Sequence, residues 1–110
     1  HFGAGDPIRN PGAAAERARL DEVRGLMQRY ASSYSLDWLL LAAQAFQESG
    51  LDHSRRSHVG AIGIMQLMPA TARDPRVGIP DIEKLDRNIE AGTKYLRFVI
   101  DRYYAQQPMT

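Results

Sequence analysis

The sequence predicts a mainly α domain of about four helices with no substantial sheet. Apolar residues recur at spacings of three and four over long stretches, which is the period of one face of a helix. No segment alternates apolar and polar residues with the period of two that a half-buried strand needs. The chain has 110 residues, 44% of them hydrophobic, enough for one core and one domain.

Residues 1–15 contain Gly3, Gly5, Pro7, Pro11 and Gly12 with little apolar periodicity, so they read as a flexible arm or linker ahead of a domain spanning 16–110. From Glu16 the pattern turns helical, with Leu20, Val23, Met27, Tyr30, Ala31 and Tyr34 on one face and Gly25 as a local cost. Ser35 is a candidate N-cap for a second helix, and Asp37 suits its positive end. Trp38 to Phe46 is apolar almost all round before Gly50 supplies a stop, which predicts a helix buried on most sides. A polar, glycine-bearing stretch then leads through Ile64, Met65, Leu67 and Met68 to a short helical piece either side of Pro69. Pro75, Gly78 and Pro80 make 74–85 an irregular connection. Asp86 reads as the cap of a last helix whose Ile89, Gly92, Leu96, Val99, Ile100 and Tyr103 share a face, with Glu90 and Lys94 ordered as an i,i+4 pair.

Several function classes find no foothold. Fourteen basic against thirteen acidic side chains, a net charge of +1, leave no electrostatic footprint for nucleic acid. The absence of cysteine excludes a disulfide, a thiolate nucleophile and a thiolate zinc cluster. No apolar run approaches the roughly 20 residues of a transmembrane helix. No G-x-S-x-G elbow and no Walker-type glycine loop occurs, and Asp52, His53 and His58 lack the spaced histidine pair of a hydrolytic zinc helix, so no metal and no cofactor is expected. The first residue is His1 and not Met, and the chain is expected to be a processed product or a piece of something longer.

Glu48 is the residue that suggests chemistry. It falls in the last turn of the second helix, at the negative end of the helix dipole, in surroundings expected to be apolar; both effects favour a protonated carboxyl. A protonated carboxyl is what general acid catalysis on a glycosidic oxygen requires, whereas the plainer reading has Glu48 reaching past the helix end into solvent. Ser49 can hydrogen-bond a ligand or satisfy an orphan helix carbonyl. In Gly60-Ala61-Ile62-Gly63-Ile64-Met65-Gln66-Leu67-Met68-Pro69, two glycines three apart permit close backbone approach, and Gln66 sets one amide in an apolar run. That amide needs partners or costs about 1–3 kcal/mol; a tight turn with Met65 packed in the core is the alternative reading.

The run Ala42-Ala43-Gln44-Ala45-Phe46-Gln47-Glu48-Ser49-Gly50-Leu51-Asp52, then Gly60 to Ala72, then Asn88-Ile89-Glu90-Ala91-Gly92-Thr93-Lys94-Tyr95-Leu96, resembles the three ordered blocks of soluble-type lytic transglycosylases. Residues 77–82 and 94–104 are further similar to the catalytic module of that family's membrane-bound F branch. The resemblance implies a lysozyme-like helical domain acting on peptidoglycan glycan strands. It implies cleavage of the β-1,4 bond between N-acetylmuramic acid and N-acetylglucosamine with a 1,6-anhydro product, Glu48 as sole catalytic acid and base, and Ser49, Met65 and Gln66 at the sugar site. It further implies an Ala-Tyr-Asn-x-Gly segment and a later tyrosine facing the glutamate, neither of which this sequence contains, so a C-terminally truncated domain is expected. A periplasmic or envelope location, an outer-membrane-associated parent and a preceding regulatory, solute-binding-like module follow from the same resemblance.

Two other functions fit the residues: a lysozyme-type hydrolase with the same acid, and a non-catalytic cell-wall-binding or assembly module. Loss of the later blocks predicts an exposed apolar face on the second and fourth helices, available for self-association.

Overall fold

Four helices organise the computed structural model, which describes residues 11–106: α1 (Pro11–Ser33), α2 (Trp38–Ser49), α3 (Pro69–Arg73) and α4 (Leu85–Ala105). Extended pairing among the described residues is limited to two isolated antiparallel bridges, Arg56 with Ile62 and Ile62 with Leu67. The mainly α expectation therefore holds.

α1 begins at Pro11, earlier than the Glu16 start that the loop-like composition suggests. Proline at a first helical position loses nothing, because its missing N–H would be an orphan there, and Ala13 to Ala15 are the strongest helix formers. The rest of the expected arm, residues 1–10, lies outside the described residues. Val23, Met27, Tyr30 and Ala31 are buried, so the three- and four-residue spacing marked the correct face. α1 packs against both α2 and α4, and its face meets Leu41 and Ala45 of α2 and Ile89 of α4 in one core. Fully buried Met27, Leu41, Ile64, Ile82 and Ile89 each contribute about 1.5–3 kcal/mol.

The junctions differ from the local expectations. Ser35 is not the cap of α2: it adopts φ +57° and closes α1, with the Leu36 N–H bonded back to the Ala31 carbonyl at 2.8 Å. The cap is Asp37, whose carboxylate accepts the Leu39 N–H at 2.9 Å. α2 ends at Gly50 as expected, with φ +66° and its N–H on the Phe46 carbonyl. Helical structure lies only after Pro69, not on both sides of it. α4 starts after Lys84, not at Asp86, which sits inside the first turn, where its charge favours the positive helix end. The expected Glu90–Lys94 pair is absent: Glu90 meets Arg87 at 2.6 Å, while Lys94 donates to the Val77 carbonyl at 2.9 Å.

α2 is not buried on most sides. Only Leu41, Ala45 and Ser49 are buried, and Leu39, Leu40 and Phe46 are exposed. Tyr95, Val99, Tyr103 and Tyr104 of α4 are exposed as well, so the uncovered apolar faces expected on these two helices are present.

Candidate active site

The C-terminal turn of α2 is fixed from three directions. Arg19 of α1 donates its Nε–H to the Gly50 carbonyl at 3.1 Å, placing a cation where the helix leaves carbonyls without partners. Ser49 is 2% exposed; its hydroxyl lies 2.7 Å from the Ile64 carbonyl and 3.1 Å from the Ala45 carbonyl, and accepts the Asp52 N–H at 3.2 Å. The one donor of that hydroxyl and an acceptor lone pair are used inside the protein. Ser49 therefore ties the helix end to the loop at Ile64 and does not line the groove beside it.

That loop is a tight hairpin tip. Ile62 and Leu67 exchange backbone hydrogen bonds at 2.9 and 3.1 Å, enclosing Gly63, Ile64, Met65 and Gln66. The turn requires positive φ at Gly63 (+80°) and at Gln66 (+49°), the latter outside the range that non-glycine residues normally adopt. Gln66 is compensated by its own side chain, whose amide NH₂ donates to the Gly63 carbonyl at 2.7 Å and the Arg55 carbonyl at 3.0 Å. Two carbonyl neighbours fix the orientation of the amide and leave Oε1 as its open acceptor.

Two residues with no assigned role in the sequence hold the tip from outside. Asn88 of α4 is fully buried; its Oδ1 accepts the Met65 N–H at 2.9 Å, and its NH₂ donates to the carbonyls of Ile62 at 2.9 Å and Ile82 at 2.8 Å. His53 accepts the Ile64 N–H at Nδ1 (3.0 Å), so its proton is on Nε2, which donates to the Glu83 carbonyl at 2.7 Å. Both ring nitrogens are thus engaged in structure. A Cβ at Gly63 would come within 2.6 Å of both the His53 ring and Asn88 Nδ2, which explains a glycine there.

α2, the tip and α4 enclose a groove of about 300 Å³. α2 contributes Gln44 and Glu48, the tip contributes Met65, Gln66 and Leu67, and α4 contributes Gly92, Tyr95, Leu96 and Val99. Three of the four expected site residues, Glu48, Met65 and Gln66, are brought together here. Glu48 is exposed, so the apolar burial expected of it is absent in the open groove. Its nearest polar neighbour is Gln44 one turn earlier, with Nε2 at 3.4 Å from Oε2. Among the described residues Glu48 is the only carboxylate of the lining. Asp52, the nearest other carboxylate in sequence, accepts the N–H and hydroxyl of Ser54 at 2.9 and 2.6 Å, bonds that hold its carboxyl below the usual range. A wider depression of about 500 Å³ elsewhere carries Asp81 and Glu83 together with Arg73 and Lys84, with Asp81 paired to Lys84 at 3.8 Å.

Gly92 sets the width of the groove floor. A Cβ there would meet Met65 Cγ at 2.7 Å and Cβ at 2.8 Å. Gly92→Ala is expected to destabilise the fold by about 1–3 kcal/mol despite the better helix propensity of alanine, because Met65 must move. Urea unfolding measures the cost, and NMR shifts of Met65 and Gln66 report the displaced tip.

The model of the family described as "Transglycosylase SLT domain" matches residues 25–109. Among similar proteins, the membrane-bound lytic murein transglycosylase F of Desulfosudis oleivorans is 36% identical over 85 residues, 77% of this chain and 18% of that protein. The protein of the same name from Maricaulis maris is 39% identical over 84 residues, covering 76% of this chain and 18% of its own length. That of Aeromonas salmonicida is 32% identical over 97 residues, covering 84% and 19%. The chain thus spans less than a fifth of these relatives.

Proposed function

From the premise that the chain belongs to the transglycosylase SLT domain family, a lysozyme-like helical fold, we propose that its groove is the glycan cleft of a peptidoglycan lytic transglycosylase. The observation that carries the reading is one carboxylate, Glu48, opening on a groove whose facing wall holds the Gln66 amide. Hydrolases of the two-carboxylate kind need a second carboxyl about 5–10 Å from the first, either to attack the sugar or to activate water. Among the described residues no such group lines this groove.

In the proposed reaction Glu48 protonates the oxygen that leaves on N-acetylglucosamine as its bond to C1 of the N-acetylmuramic unit breaks. The carboxylate so formed takes the proton of the muramic C6 hydroxyl, whose oxygen bonds C1 and closes the 1,6-anhydro ring. Glu48 ends protonated, no water is consumed, and the substrate's own N-acetyl group assists at C1. Gln66 Oε1 is free to accept a hydrogen bond from the sugar, Met65 packs against its apolar face, and Ser49 acts through the Ile64 carbonyl by holding the tip in register with the acid. Murein places the activity in the cell envelope. No helix among the described residues is long and apolar enough to cross a membrane.

Digestion of purified murein followed by mass spectrometry tests the chemistry. Muropeptides one water lighter than their reducing counterparts are expected. Reducing ends would instead identify a hydrolase, and an undigested sacculus that still retains the protein would indicate a binding module.

A further inference from the structure

Tyr95 belongs to two depressions at once. One is the Glu48 groove; the other, of about 210 Å³, is bounded by Asp74, Arg76 and Phe98 among others. We propose that this second depression is a subsite for an uncharged amino-sugar ring of the same glycan strand, beyond the ring pair at Glu48. The inference rests on the reading of the groove as a glycan cleft and extends it to residues outside that groove.

The shape and chemistry of the depression match a pyranose. The Tyr95 and Phe98 rings, with centroids 6.5 Å apart and 33° between planes, form a short aromatic strip along α4. A pyranose offers a face of C–H bonds to such a strip and hydroxyl or acetamido groups at its edge. The edge would meet Asp74 and Arg76. The Asp74 carboxylate accepts the Arg76 backbone N–H at 2.9 Å, Nε at 2.9 Å and Nη2 at 2.8 Å, while the guanidinium lies 5.0 Å from the Phe98 centroid. The fork is therefore held in place before any ligand arrives, and its remaining N–H donors stand beside carboxylate acceptors.

Charge selects the ligand. Arg76 holds the Asp74 carboxyl down to about 2, so both partners stay ionised throughout the neutral range and together carry no net charge. A carboxylate of a stem peptide would gain Arg76 only while facing Asp74, a like charge. A neutral, hydrogen-bonding sugar meets no such opposition.

The test uses the full chain carrying Glu48→Gln, so that no bond is cleaved, and NMR titration with N-acetylglucosamine oligomers from dimer to hexamer. The dimer is expected to shift the Met65 and Gln66 amides alone; the hexamer is expected also to shift the Arg76 Nε–H and the Phe98 amide. Adding Arg76→Ala, or separately Phe98→Leu, should weaken hexamer binding about tenfold and leave dimer binding unchanged. Groove signals that respond while Arg76 stays silent, or variants that weaken dimer and hexamer alike, would overturn the subsite alone. A free stem peptide that shifts Arg76 when the hexamer does not would reassign the depression to an anionic ligand. If no oligomer perturbs even Met65 and Gln66, the glycan-cleft reading falls as well.

Discussion

Glu48→Gln is expected to lower murein turnover by about a thousandfold while leaving the fold as stable as before, or slightly more so. A positioned general acid contributes roughly 10²–10⁴ in rate, and the proposed reaction asks one carboxylate to serve as both acid and base, so a value near the middle of that range is a minimum expectation. The stability side follows from placement. Glu48 is exposed in the last turn of α2, where a negative charge opposes the helix dipole, and glutamine removes the charge while keeping the shape. A loss of activity without a loss of melting temperature would separate chemistry from folding. Unchanged release of anhydro-muropeptides by the variant would remove Glu48 from the mechanism.

Asn88→Ala carries the opposite signature. The substitution leaves the Met65 N–H and the Ile82 carbonyl without a partner beside a fully buried position, while the Ile62 carbonyl keeps the Leu67 N–H. Unmet buried groups cost about 1–3 kcal/mol each, and the two left unmet point to a loss of about 2–5 kcal/mol, a large part of the stability of a domain this size. Asn88→Asp refines the test, since it keeps the acceptor for Met65 and loses both donors. It should be destabilising too, with a carboxylate placed against two carbonyl oxygens. Equilibrium denaturation of both variants measures this, and a change below about 1 kcal/mol in each would mean that the tip is held by something other than Asn88.

What could be read from the sequence divides along physical lines. The buried face of α1 was legible because one helical period sets it, and the end of α2 because glycine at a left-handed cap is a local requirement. The start of α1 was not, since Pro11 and Gly12 look like loop residues until proline is placed at a first helical position. Ser35 and Asp37 compete within three residues for one cap, and the choice is made by how α1 closes, which Ser35 itself performs. The burial of α2 is lower than its composition suggests, because an apolar composition does not distinguish a residue in the core from one on an uncovered face.

The groove follows the same division. Glu48, Met65 and Gln66 were marked by their motifs, and Gln44 could have been found from its i,i+4 spacing to Glu48. Tyr95 lies one helical turn from Gly92 and was visible in the same way. Asn88 and His53 carried no local signal, because their partners lie 23 and 11 residues away in sequence. For Ser49 the local sequence allows a ligand contact or a cap, and the bond to Ile64 that defines its role arises only in the assembled fold.

The hairpin tip has no regular secondary structure, yet each of its four backbone N–H groups has a partner: Arg55 for Gly63, His53 for Ile64, Asn88 for Met65 and Gly63 for Gln66. The entropy of ordering this loop is therefore lost once, when the chain folds, and not again at each encounter with a ligand in the groove. Under the proposed function, binding energy from the glycan need not be diverted into arranging the wall that receives it, and more of it remains for distorting the ring at the bond to be cleaved.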